Sequence, residues 1–420
     1  MTSERPFTSS DGLRYGMLAL PLAFVALPLY VILPNHYARE FGVPLAALGA
    51  VLLSARLFDA LIDPWLGRLN DRLFARSPAA VLALGAVAAL MLACGFTLLF
   101  FPLARQPDAL LAWAGAALVL TYAGYSALTI AHQSWGARLG GDETQRGRIV
   151  AWREGLGLAG VMLASVLFVT GGAAFGTGVF FVTLAAGWLF WARSRRPLAA
   201  ADGPLRFDVW LPLRYQPFRR LLAVFMLNGI ASAMPATLLL FFVQDRLQAP
   251  AALQPVFLGS YFLAAALSMP AWLAAVRRIG LAASWLGGMA LSIAVFSGAA
   301  ALGAGDSGAF LAVCVLSGVG LGADLALPGA LLAGLIADAG HRGRGEGAYF
   351  GWWNFATKLN LALAAGLALP LLALAGYSPG ARDPAALRAL VIGYCLLPCV
   401  LKLCAATTLY FSLVRQERHP

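Results

Sequence analysis

The chain is poor in charge. Only 12% of its 420 residues are Asp, Glu, Lys or Arg, about half the share found in soluble domains. Histidine is scarce as well: His36, His132, His341 and His419 are all there is. A membrane-embedded enzyme needs a metal-ligand set, or a Ser/His or Cys/His pair. His132 alone inside an apolar run supplies none of these, so an enzyme is not expected. The five cysteines (Cys94, Cys314, Cys395, Cys399 and Cys404) lie inside apolar segments. Cys395 and Cys399 are one turn apart, but no acid or histidine accompanies them. They read as small packing residues rather than a metal site. A cleavable signal peptide is not evident, because Met1 to Asp11 is polar and the first apolar run begins near Tyr15.

Apolar residues fill the space, at 60% of the chain. A bilayer crossing takes about 20 of them in a helix. On that rule the sequence holds twelve spans, near 15–34, 44–67, 79–101, 109–134, 150–172, 175–194, 218–243, 253–275, 280–303, 308–335, 346–375 and 386–412. The longest polar connection, with Arg206, Asp208, Arg214, Arg219 and Arg220, separates six helices from six. The expected domains are therefore 1–197, a linker at 198–217, and 218–420. The excess of positive charge, +11 at pH 7, sits in short loops. If the N-terminus is cytoplasmic, that side carries Arg5, Arg14, the Arg68–Arg76 loop, the Arg138–Arg153 loop, the arginines from Arg193 to Arg220, and Arg277, Arg278, Arg342, Arg344, Arg415 and Arg418. The opposite side carries Arg39, Arg105, Arg246, Arg382 and Arg388. This asymmetry places both termini in the cytoplasm. It also accounts for the basic balance without nucleic acid as a partner.

Against this background the charges inside spans stand out. The second span carries Arg56, Asp59 and Asp63 at i, i+3 and i+7, on one helical face. A charge deep in a membrane helix costs about 2.5–3.5 kcal/mol on insertion scales, so it marks a polar cavity, a pair or an ion site. A structural Arg56–Asp59 pair would leave Asp63 unexplained. The fourth span has Tyr122, Tyr125, Ser126, Thr129, His132 and Gln133 at 3–4 spacing, a polar stripe that reads as a cavity wall. Asp324 lies in the tenth span, four residues before Pro328, as a candidate for a substrate amine or a proton relay. The eleventh span puts Asn354, Thr357 and Lys358 on one face, with Lys358 too deep to reach either interface easily. Lys402 lies nearer the end of the twelfth span, where snorkelling accounts for it. Trp352 and Trp353 could stack on a sugar ring or simply pack.

These motifs resemble one family. Arg56-x-x-Asp59-x-x-x-Asp63-Pro64-x-x-Gly67 is similar to the helix-2 signature of the glycoside–pentoside–hexuronide:cation symporters, the melibiose-permease branch of the major facilitator superfamily. Gly67-Arg68-Leu69-Asn70-Asp71-Arg72 resembles the superfamily's loop 2–3 motif, with Gly67, Asp71 and Arg72 as its gating residues, and Arg277-Arg278-Ile279-Gly280 is a degenerate counterpart. Asp142 to Arg146 leading to Arg153, and Asp338 with Arg344-Gly345-Glu346-Gly347 followed by Lys358, extend the match over nearly the whole chain. The resemblance implies an all-α membrane protein with twelve transmembrane helices, folded as two six-helix halves. It implies a cation-coupled symporter of a small organic solute, a sugar or glycoside, working by alternating access as a monomer in a bacterial inner membrane. It makes Asp59 and Asp63 the cation carboxylates, with Ser126, Thr129 and Lys358 completing the coupling set and Arg56 in support. Tyr125, Gln133, Arg153, Asp324, Trp353 and Asn354 are the substrate candidates. No cofactor is implied; the coupling ion is H+ or Na+, and no metal beyond sodium is expected.

The sugar half of the pattern is altered. Ala23 stands where the family has a helix-1 acid, Thr129 where it has a helix-4 acid, Gln133 where it has an aromatic, and Ile62 where it has an asparagine. Arg153 is one residue away from the family's helix-5 arginine. An amphiphile such as a lysolipid is therefore the alternative substrate class, and a non-transporting membrane sensor the alternative role.

Overall fold

The structure is a computed structural model that describes residues 7–104, 106–197 and 208–415. Arg5, Arg105, Arg206, Arg418 and the first half of the expected linker, 198–207, lie outside the described residues. Helices account for nearly everything described, and no strand occurs among these residues. The chain divides into two compact units. The first comprises Met1–Pro212 together with Ile336–Phe355; the second comprises Leu213–Leu335 and Ala356–Pro420.

The first unit opens on α1 (Ser9–Gly16), whose N-terminus is held by a capping box between Thr8 and Asp11. Next come α2 (Ala19–Leu27), a π-turn at Pro28–Ile32 and α3 (Leu33–Glu40). Then follow α4 (Leu45–Arg76), α5 (Pro78–Phe100), α6 (Pro107–Arg138) and α7 (Glu143–Ala192). At about 1.5 Å per residue, the 50 residues of α7 are too long for one crossing. The chain reverses inside it at Gly172, where φ is 72°, a backbone that suits glycine. The core of this unit is aromatic: Phe24, Phe96, Phe100, Phe168 and Phe180 pack ring against ring.

A short turn, α8 (Leu211–Arg214), leads into α9 (Gln216–Phe241), which ends in a π-turn at Phe242–Arg246. The second unit continues with α10 (Gln254–Ala299), α11 (Ser307–Asp338), the greater part of α12 (Glu346–Leu374), α13 (Pro384–Val391) and α14 (Leu397–Leu409). Like α7, α10 reverses within itself, at Gly280 (φ 80°). Its core gathers Phe242, Phe257, Phe310 and Tyr394, with Phe242 stacked on Tyr394 at 4.2 Å.

Nine helical stretches among the described residues are long and apolar enough to cross a membrane, and one of them, Ala251–Ala299, is long enough to do so twice. The remaining two crossings are the broken α2–α3 and the charged α4. This is the twelve-helix, all-α fold that the sequence predicts.

Candidate functional site

In the first unit, α4 and α6 lie side by side and bring the acids to the polar stripe. Asp59 and Asp63 are both buried, at 3% and 0% exposure. Ser126 Oγ donates to Asp59 Oδ1 at 2.6 Å. Thr129 Oγ1, one turn further along α6, is buried and makes no hydrogen bond among the described residues. Tyr125 feels the charges of Asp59, Glu154 and Asp63 together. Arg56 is exposed, next to Tyr122.

Two carboxylates one helical turn apart repel each other when both are ionised, and positive charge between them relieves the repulsion. Their geometry offers oxygens from Asp59, Asp63, Ser126 and Thr129. Pro64 has no N–H, so it leaves the Ala60 carbonyl without its helical donor and adds a further oxygen. The set can take a proton on one carboxyl or a sodium ion among its oxygens.

The substrate candidates divide. Asn354 Nδ2 donates to Gln133 Oε1 at 2.6 Å, so these two are joined. Trp353 is buried. Arg153 is ion-paired to its neighbour Glu154 at 2.6 Å. Glu154 was not singled out from the sequence; its position directly after Arg153 is the only cue to this pair. Asp324 and Lys358 belong to the second unit.

One member of the expected cavity wall, His132, and the tryptophan Trp352 have other partners. His132 is a tie between α6 and α1: its Nε2 lies 2.7 Å from the Tyr15 carbonyl, and the Tyr15 hydroxyl donates to the His132 carbonyl at 3.1 Å. Trp352 donates through Nε1 to the Val209 carbonyl at 2.8 Å and rests on Trp210, so it anchors the chain before α9 and is not left to stack on a sugar.

The loop 2–3 motif is tied into an ionic cluster. Arg138, at the end of α6, lies between Asp71 at 2.8 Å and Glu346 at 3.0 Å, all three buried. It also covers the Phe74 ring at 3.9 Å and donates to the Gly343 carbonyl. Asp71 in turn accepts the backbone N–H groups of Gly347 and Ala348, each at 2.8 Å, at the start of α12. A carboxylate there satisfies free amides and the positive end of the helix dipole. Close approach makes this possible. A Cβ on Gly67 would stand 2.0 Å from the Gly347 carbonyl, and one on Gly351 would stand 2.6 Å from the Asp63 carbonyl. Gly347 and Gly351, one turn apart, let α12 lie against α4 from the ionic cluster up to the second carboxylate. Burial, with Glu346 beside it, pushes the Asp71 carboxyl up to about 7, against the pull of Arg138 and the two amides. Arg138 and Glu346 read in the sequence as a loop charge and a motif letter; their pairing across more than 200 residues has no local signal. Arg72 is exposed.

Lys402 departs from expectation. It does not snorkel: it is buried, and its Nζ donates to Asn228 Oδ1 (2.7 Å), Ser232 Oγ (3.1 Å) and Asp324 Oδ2 (2.7 Å). Trp285 Nε1 donates to the other oxygen of Asp324 at 2.9 Å. Helices α9, α10, α11 and α14 all contribute to this one ion pair, and an ammonium held this way gains more than it would by reaching for water.

A polytopic helical fold with buried, paired charges inside its spans is that of a membrane transporter. A family model described as MFS/sugar transport protein matches residues 14–414, and the chain belongs to that family. It is a multi-pass secondary transporter that works by alternating access. No curated protein matches the sequence. Among solved structures, the fold is similar to that of a bacterial homologue of the iron transporter ferroportin in an outward-facing state. That likeness has a TM-score of 0.74 at 16% identity and covers 96% of this chain and 99% of the other. The E. coli fucose:proton symporter is also similar, with a TM-score of 0.66 at 14% identity and coverage of 97% and 99%.

Proposed function

We propose that the protein is a cation-coupled symporter of a small organic solute, a sugar or glycoside, with Asp59 and Asp63 as its coupling site. The observation that carries this reading is the buried carboxylate pair of α4 with a Ser126 hydroxyl already turned onto it. Two carboxylates one turn apart repel each other when both are ionised, and a cation on them relieves that repulsion. A proton or a sodium ion meets that need and links occupancy of the site to the balance between transport states. Lys358 completes the coupling set by family resemblance. Tyr125, Gln133, Asn354, Trp353 and Arg153 offer the hydrogen bonds and ring surface that a hydroxyl-rich solute requires. The loop arginines favour a bacterial inner membrane with both termini in the cytoplasm. The fucose:proton symporter, by its name, moves a sugar with a proton, and its likeness in fold is compatible with this reading.

The apolar α2, with Ala23 where the family has an acid, favours an amphiphile as the second substrate class. A ligand-induced thermal-shift screen of the purified protein separates the two. Sugars, glycosides and lysolipids are compared with and without sodium at two pH values. The proposal expects stabilisation by a sugar or glycoside that depends on sodium or on pH. Stabilisation by lysolipids alone overturns the substrate class, and a hit indifferent to both ions overturns the coupling.

A further inference from the structure

The sequence has two lysines, Lys358 and Lys402; every other basic side chain, histidines apart, is arginine. Arginine is effectively always charged, whereas lysine changes its protonation and its partners readily when buried. Lys402 faces Asp324 inside the second unit, where the ordinary outcome of evolution is an apolar contact. Replacing a buried ion pair with well-packed apolar residues is often neutral or stabilising. An intramembrane pair of this kind is by default a functional feature.

The pair is not sealed in packing. It forms one end of a cavity of about 120 Å³, whose other walls include Phe257, Phe296 and Tyr394. That volume has room for several water molecules, and the polar end supplies the partners they need. Water therefore has a place to stand next to a carboxylate.

We propose that Asp324 is a second proton-binding site, separate from the α4 carboxylates. A hydronium ion in the cavity gives its proton to Asp324 Oδ2 and is left as water, and the contact from Lys402 Nζ to that oxygen breaks. Lys402 keeps its own protons and stays on Asn228 and Ser232, so the pair passes from neutral to a charge of +1. Trp285 stays on the other carboxyl oxygen. The remaining titratable groups around the pair are Tyr261 on α10, Cys314 on α11, Cys399 on α14 and Tyr394 in the Ile392–Leu396 turn, all lining the same cavity. None of these is a fixed charge, so among the described residues lining the cavity Lys402 is the cation that faces Asp324, with Ser232 Oγ and Trp285 Nε1 also donating to its carboxylate. Because α9 holds two members of the network and α10, α11 and α14 one each, losing the central contact loosens four helical segments together. The site thus converts a proton into a change of packing within this unit.

The test is infrared difference spectroscopy of the purified full-length protein through a pH titration, reading the C=O stretch of protonated carboxyls. The wild type should gain a carboxyl band on acidification that Asp324→Asn removes. The same band should persist in the Asp59→Asn/Asp63→Asn double variant, which keeps this proposal independent of the coupling site in the first unit. Asp324→Asn leaves Lys402 buried without its counter-charge and can fail to fold. Asp324→Asn/Lys402→Met removes both charges, and it should fold and lose the same single band. A wild-type band that survives in either folded variant, or no carboxyl band that depends on Asp324 in any folded sample, overturns the proposal.

Discussion

The two units hold their buried charges in opposite ways. On α4 the charges are alike: Asp59 and Asp63 share a face, with a Ser126 hydroxyl on one of them. Between α11 and α14 the charges are opposite: Asp324 and Lys402 neutralise each other at 2.7 Å, and Asn228, Ser232 and Trp285 complete both groups. The second arrangement supplies its own counter-charge, and the first is the one proposed to take a cation. A site that must recruit a cation responds to ion concentration, whereas a self-neutral site responds only when something displaces one of its halves. The like-charged pair is therefore the place to expect the coupling ion.

The largest effect expected from breaking this contrast is at Asp63. Asp63→Asn removes the second carboxylate and should abolish gradient-driven uptake while exchange of solute across the membrane persists in part. Proteoliposome uptake and counterflow, measured on the same preparation, check this. In the second unit the contrast predicts a stability effect instead. Lys402→Met alone leaves Asp324 without its counter-charge and should destabilise the protein by about 3–5 kcal/mol, as breaking a buried pair does. Lys402→Met with Asp324→Asn should recover most of that loss. Thermal unfolding of the two variants compares them directly.

A third prediction concerns pH. Asp71 is raised in the folded protein from 3.8 to about 7. The folded state therefore binds this proton more tightly than the unfolded state does, and stability due to Asp71 falls as pH rises through that window. Asp71→Asn should flatten the decline, as seen in midpoints of thermal unfolding measured at successive pH values. The smallest effect is expected at Asn354, whose bond to Gln133 joins two neutral groups. Asn354→Ala should cost about 1 kcal/mol of stability, and should weaken binding of whichever solute the thermal-shift screen identifies.

Much of the fold was legible because long apolar runs report membrane crossings regardless of tertiary context. The α4 acids were legible for the same reason: a carboxylate in such a run is visible against its surroundings. The family resemblance also placed Ser126 with them. What it could not show is which partner a buried polar group chooses. His132 shared the spacing of the α6 stripe but turned to the Tyr15 backbone, because neighbouring α1 offered a carbonyl and a ring. Lys402 lay near enough to a helix end for snorkelling to explain it, yet three acceptors from α9 and α11 held it inside. Arg138 looked like one more loop charge, and its burial between Asp71 and Glu346 depends on residues far away in the chain. In each case a contact made by the tertiary fold overrode the local reading.

The most direct test of the coupling site needs no knowledge of the solute. Thermal stability of the wild type and of the Asp59→Asn/Asp63→Asn variant is measured while sodium replaces choline at constant ionic strength, and again while pH is lowered. A cation site on α4 predicts that the wild type is stabilised by sodium or by acid, and that the double variant loses the response to that ion. An identical response to both ions in the two proteins would contradict it.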